Sequence, residues 1–336
     1  MQRVYITLQG DHKIAIYNLN SETGELTHQE DISTPGGPAP FAVSPDNTHA
    51  YIGLRDNFKM ASFDIDAKTG TLKPSGTVAL ESDPCYISVD NTGRHLLSAY
   101  YSAGHIAVHP IDEQGGIGGN PTEWIATRHR AHCAQTDSTN SYTFLTHVDD
   151  SNAIYQYKFD DKTGKLTPNH PAVIEPPAGH GPRHYAYHPN GNFIYFDNEQ
   201  GSSVTAYKFD SVTGTIEALQ TLSTIPYDFS GENSNAQIHM SPGGEYLYAA
   251  NRGHNSIAMY RINAETGTLR SLGQQPSLGT PRAFGIDPSG KYMIVGGLDS
   301  GNLATYKIES TGTLTHLTTQ SVGKLPMWIH IIDPNG

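Results

Sequence analysis

The sequence predicts an all-β protein built as a ring of seven blades, each of four antiparallel strands. Three observations predict it. The composition is poor in helix formers and rich in turn residues, with 34 Gly and 21 Pro. Strand-favouring runs are short and broken by Asp, Asn, Pro and Gly. Above all, one pattern recurs along the whole chain, and such repetition is the signature of a propeller or solenoid.

The recurring unit begins with a strand, a turn and a second strand. It reads PFAVSPDNTHAYIG from Pro40, PCYISVDNTGRHLLSA from Pro84 and PRHYAYHPNGNFIYFDNE from Pro182. NAQIHMSPGGEYLYAANR from Asn235 and PRAFGIDPSGKYMIVGG from Pro281 follow it, and HCAQTDSTNSYTFLTH from His132 is a weaker copy. The turns SPD, DNTG, HPNG, SPGG and DPSG suit tight hairpin corners. A third strand follows, such as SVTAYKFD from Ser203, then a Thr-Gly turn at Thr69-Gly70, Thr163-Gly164, Thr213-Gly214, Thr266-Gly267 or Thr311-Gly312. A fourth strand starts near Leu72, Leu166, Ile216, Leu269 or Leu314. Successive units begin 44 to 53 residues apart, which makes six blades. Strands over 3–9, 12–19 and 25–32 lack a first strand, and PMWIHIIDP from Pro326 is a first strand with nothing after it. Joined, they complete a seventh blade and remove the open edge of the ring. Residues 1–336 then form one domain of seven units averaging 48 residues. The stretches 110–131 and 223–234 are expected as long loops. The 19 Tyr are expected mostly as core between stacked sheets.

The formal net charge of -12 excludes binding to nucleic acid by phosphate neutralisation. No apolar run approaches the roughly 20 residues that cross a bilayer, so no membrane partner is expected. The N-terminal residues alternate like a strand rather than like an export signal, which points to the cytoplasm. Cys85 and Cys133 are too few for a disulfide scaffold. They are expected as small packing residues at corresponding positions of adjacent first strands.

In such a ring, loops entering the first strands and loops leaving the second strands meet at one mouth of the channel. The entering slot, beside each opening Pro, is read as Phe41, Cys85, His132, Arg183, Ala236, Arg282 and Met327. The leaving slot is read as Arg55, Tyr101, His147, Glu199, Arg252 and Leu298. A repeat needs no ionisable groups here to fold. A single arginine could as well brace a carbonyl or pair with Glu199, but several arginines at one mouth point to an anionic ligand. His132 and Glu199 are the candidate acid–base pair. Tyr101 can line a sugar-sized pocket or simply pack. The 17 histidines form no familiar metal motif, so neither metal nor other cofactor is expected. No Gly-x-Ser-x-Gly nucleophile elbow occurs.

These residues together resemble the seven-bladed propeller lactonase family, which includes bacterial-type 6-phosphogluconolactonases and fungal carboxymuconate lactonising enzymes. The resemblance is carried by VYI at Val4, SPDN at Ser44, IGLR ending at Arg55, GPRHYAYHPNG from Gly181 and DNE ending at Glu199. ENSNAQIHMSPGGEYLYAANR ending at Arg252, TPRAFGIDPSGKY from Thr280 and LPMW at Leu325 extend it over the whole chain. It matches His132, Arg183, Glu199 and Arg252 to the family's catalytic set and Arg55 to a family arginine; taken with the slot pattern, His132, Glu199 and Arg183 are expected to be catalytic and Arg55, Arg252, Arg282 and Tyr101 to bind the substrate. His129 is the alternative in the fourth blade, whose opening lacks the usual Pro. The implied reaction is hydrolysis of a small anionic sugar lactone, 6-phosphogluconolactone, by water activated between His132 and Glu199. The implied assembly is a monomer or weak homodimer. Cycloisomerisation of a muconate, hydrolysis of another sugar lactone, and a non-catalytic binding platform are the alternatives on the same framework.

Overall fold

The structure is a computed structural model that describes residues 1–334. Among these residues it contains 28 strands, β1 to β28 in chain order, and two single-turn 3₁₀ helices. They form seven four-stranded antiparallel sheets. The closing sheet has the order β28 (Pro326–Ile332), β1 (Gln2–Leu8), β2 (Lys13–Leu19), β3 (Leu26–Ser33), so the two chain ends pair as expected. The expected loop 110–131 is partly ordered. It carries the outermost strand of its blade, Glu123–Ala126, and a bridge between Ile111 and Ile117. The hydrophobic run Trp124-Ile125 supplies that strand despite the Gly-rich approach.

No blade has a core of its own. Each apolar cluster joins two neighbours, as when Val4, Ile6 and Tyr17 pack on Ala283, Ile294 and Leu303 across the closure. Phe144 and Ile154 likewise pack on Tyr185 and Phe196. Stacking is therefore a condition of folding for every blade. Tyr5, Tyr51, Tyr100, Tyr195, Tyr248, Tyr260 and Tyr306 are fully buried in these layers. The tyrosines also explain the recurring Thr-Gly turns. Tyr5 donates its hydroxyl to Gly70 O at 2.8 Å, Tyr195 to Gly267 O at 2.9 Å and Tyr248 to Gly312 O at 3.0 Å, each across to the next blade. Gly312 has φ +82°, and a Cβ there would lie 2.1 Å from the Tyr246 ring. Glycine is thus required both for the turn and for the tyrosine stacked against it.

The seven first strands are β28, β4 (Pro38–Val43), β8 (Pro84–Val89), β12 (Ala131–Thr136), β16 (Pro182–Tyr187), β20 (Ser234–Met240) and β24 (Pro281–Ile286). They contact one another in a closed circle around the axis. Every one has a bulge at the mouth end, where it leaves register with its second strand. A bulge adds twist and re-aims side chains. Deeper in, Tyr86, His184 and Trp328 converge with ring centroids 5.0 to 5.9 Å apart and plug the channel. Beyond them opens a cavity of about 530 Å³ lined in part by Tyr187, His239 and His330.

The channel histidines are neutral. Burial holds His239 and His330 at about 4, and holds His184 well below its ordinary value with help from Arg183. Unfolded, these imidazoles take up protons below about pH 6.5. The native state then binds fewer protons than the unfolded one, so stability falls as pH falls through that value. Asp197, raised to about 7 by burial, works in the opposite sense but is one group against several. The melting temperature should therefore drop between pH 7.5 and pH 5, at up to roughly 1.4 kcal/mol per pH unit for each histidine. Calorimetry across that range checks it, and a flat profile would refute the neutral channel. Gly312→Ala should lower stability by about 1–3 kcal/mol, measured by urea unfolding, through backbone strain and the clash with Tyr246.

Candidate active site

The bulges decide which residues reach the mouth. In the blade of β16, Pro182 pairs with Asn198 and Tyr185 with Phe196 on β17 (Phe193–Asn198), so Arg183 is released from the ladder. The same break releases Cys85, His132, Ala236, Arg282 and Met327 in their blades. In the second blade it releases Ala39, not Phe41, because the strand opens at Pro38 rather than Pro40. Phe41 instead lies inside an apolar cluster. The leaving slot follows directly after each second strand. It holds Arg55, Tyr101, Glu199 and Leu298, and Gln9 in the closing blade, while in the sixth blade Arg252 is itself the last residue of the second strand. In the fourth blade the slot falls on Val148, one residue beyond His147. His147 is a fully buried wall residue, bonded through Nε2 to Thr127 Oγ1 at 3.0 Å. Cys85 and Cys133 are also not equivalent. Cys85 corresponds to His132, and Cys133 lies one position deeper. The Cys85 Sγ donates to the backbone around Ala131, and burial pushes its thiol up to about 11, which excludes it as a ready nucleophile.

The structure gathers the arginines and Glu199 into one cluster. Glu199 is bracketed by two guanidiniums, with Arg183 Nε at 2.8 Å from Oε2 and Arg252 Nη2 at 3.1 Å from Oε1. Arg183 also donates Nη1 to Ala236 O, and Arg252 donates Nη2 to Asn235 O at 2.5 Å. The Asn235 amide donates to Glu199 O at 3.0 Å, so this bracket ties the fifth blade to the sixth. Arg55 makes a forked contact with Asp83, from Nη2 at 2.7 Å and Nε at 3.2 Å. Arg282 makes no ion pair among the described residues. Burial and the neighbouring Arg183, Arg252 and Arg55 push it down to about 9, still protonated at neutral pH. Arg183 is almost wholly buried, whereas Arg55, Arg252 and Glu199 reach solvent.

His132 is buried beside this cluster; the alternative, His129, is exposed on the surface. The His132 ring stands 6.0 Å from Tyr101, edge to face, and 5.1 Å from His184. Burial, then Arg183, Arg282, Arg252 and Arg55 in turn, hold its pKa well below the usual value. Its Nδ1 has no hydrogen-bond partner. All seven residues expected at the site therefore come together at one end of the channel. Reading the sequence alone missed Asp83 and Asp197. Each had a signal: an acid at a place where most other blades carry Gly, Thr, Ala or Ser. Among the described residues no group of three or more His, Cys, Asp or Glu is arranged to hold a metal ion.

Comparison with known proteins identifies the family of this ring. The family model described as "Lactonase, 7-bladed beta-propeller" matches residues 4–331. A 6-phosphogluconolactonase of Pectobacterium atrosepticum is 34% identical over 333 residues, covering 98% of both chains. One of Yersinia pestis is 34% identical over 332 residues with the same coverage. The solved structure of the periplasmic gluconolactonase of Pseudomonas aeruginosa superposes with a TM-score of 0.92 over 99% of each chain, at 21% identity, which is a likeness of fold. The chain belongs to the seven-bladed β-propeller lactonase family.

Proposed function

We propose that the protein hydrolyses the phosphorylated sugar lactone 6-phosphogluconolactone to its open acid. The observation that carries this reading is the charge balance of the mouth. Four arginines, at positions 55, 183, 252 and 282, face the carboxylates of Glu199, Asp83 and the buried Asp197, and Arg282 has no ion-pair partner among the described residues. An anionic substrate supplies the missing negative charge. The full-length relatives named as 6-phosphogluconolactonases support a phosphorylated lactone. Arg282 is the better phosphate holder, since Arg252 is already engaged by Glu199 and Arg55 by Asp83. Both cysteines are free thiols, which supports a reducing, cytoplasmic compartment.

Lactone hydrolysis needs a base for the attacking water, a donor for the carbonyl oxygen and an acid for the departing ring oxygen. Both Glu199 oxygens are occupied by guanidiniums, so Glu199 serves to hold and aim Arg183 and Arg252. His132 is the neutral base, with an unpartnered Nδ1 ready to accept a proton. Once protonated it faces four arginines, which repel the new charge and favour passing the proton on to the ring oxygen. Arg183 stabilises the developing oxyanion, and Tyr101 flanks the sugar.

The test is hydrolysis of freshly generated 6-phosphogluconolactone above its spontaneous rate, with the unphosphorylated lactone and carboxymuconate in parallel. His132→Ala should cost about 10²–10⁴-fold in kcat. Arg282→Ala should chiefly raise KM for the phosphorylated lactone and leave the unphosphorylated one little changed. Full activity of His132→Ala, or equal KM effects on both lactones, would overturn these roles.

A further inference from the structure

Asp197 lies fully buried on β17, two residues before Glu199. The matching residues of the other blades are Thr7, Gly53, Ala99, Thr146, Ala250 and Gly296. The space is tight: at Gly53 a Cβ would lie 2.7 Å from two proline rings. The fold therefore calls for a small or hydroxyl side chain at this place, and an acid there is costly to bury. Only one of its oxygens is satisfied. Oδ1 accepts the His184 amide at 2.7 Å, while Oδ2 has no hydrogen-bond partner.

The bulge shows what that one bond does. Arg183 and His184 together face Asp197, outside the ladder. The Arg183 carbonyl is held from the preceding blade by Thr146 Oγ1 at 2.5 Å, and the next amide along, that of His184, is held by Asp197. Two side chains thus grip the Arg183–His184 peptide unit, one at its carbonyl and one at its N–H, directly after the residue whose guanidinium meets Glu199. We propose that Asp197 is a positioning residue for lactone hydrolysis, fixing the β16 bulge and with it the direction of the Arg183 guanidinium. This rests on Arg183 acting at the mouth as described above.

The groups around Asp197 make its role pH-dependent. Arg183 and Arg252 favour its charged form, Glu199 opposes it, Cys133 of the preceding blade is a protonated thiol, and His184 is neutral. Burial outweighs the arginines and lifts Asp197 to about 7, so it is neutral below that pH and ionised above it. The ionised form is the stronger acceptor for the His184 amide. Removing the side chain should therefore cost more at pH 8 than at pH 6.

The experiment compares Asp197→Ala, Asp197→Asn and Arg183→Ala with the parent enzyme for kcat, KM and melting temperature from pH 6 to 9. Asp197→Ala should lose on the order of tenfold to a hundredfold in kcat, the scale of a misdirected catalytic group. Its melting temperature should stay within about 3 °C of the parent. Asp197→Asn keeps an oxygen for the His184 amide and should restore most of kcat while flattening the pH dependence near 7. Parent-like kcat in Asp197→Ala, or a large fall in melting temperature with unchanged kcat per folded molecule, overturns the proposal. If Asp197→Ala is active while Arg183→Ala is not, positioning fails and the site reading stands. If Arg183→Ala itself is fully active, the site reading falls.

Discussion

The closed circle of seven first strands is the constraint from which the site follows. Pairing β28 with β1 closes the ring at its one join, so every blade has a neighbour to stack on at each face. Each strand then delivers its mouth-end bulge to a set distance from its neighbours. A bulge in an isolated hairpin would only bend it. In the ring, seven bulges aim seven side chains at one axis. Three of them, His132, Arg183 and Arg282, are ionisable, while Ala39, Cys85, Ala236 and Met327 are small or uncharged.

The electrostatics depend on that geometry. The chain is acidic overall, with a net charge of -12, yet four guanidiniums crowd its mouth. Bringing them together in a partly dehydrated place is unfavourable unless negative charge offsets it. Glu199 and Asp83 offset two, and the buried Asp197 a further part. The remainder polarises the site towards an anion. It also holds His132 neutral, so under the proposed mechanism one cluster would both attract the substrate and prepare the base. The plug of Tyr86, His184 and Trp328 separates this mouth from the wider cavity on the other side.

Most of the fold was legible because each blade repeats the same turn chemistry. Thr-Gly turns, Asp/Asn/Pro/Gly corners and alternating tyrosines mark strand ends wherever they occur. The site residues were legible through their departure from the repeat, since an arginine or histidine at a loop-entry position has no folding role. The misplacements have one cause. Phe41 was counted from Pro40 although the strand opens at Pro38, and His147 was taken for the slot although it is the last residue of its second strand, so each count was off by where a strand begins or ends. The same offset hid the difference between Cys85 and Cys133, and Glu123–Ala126 was taken for loop because its strand is short.

The amino-acid sequence by itself determined the number of blades, the closure by the two chain ends and the small set of residues free to do chemistry. Those depend on local turn propensities and on hydrophobic spacing, which act over a few residues. The tertiary structure alone decided that Glu199 is spent between Arg183 and Arg252, that Arg282 is left unpaired, that His132 is neutral, and that Asp197 grips the bulge beside Arg183. These are matters of distance and dehydration, some within one blade, as between Asp197 and the His184 amide, and others between blades, as between Glu199 and Arg252, and they are set only when the ring closes.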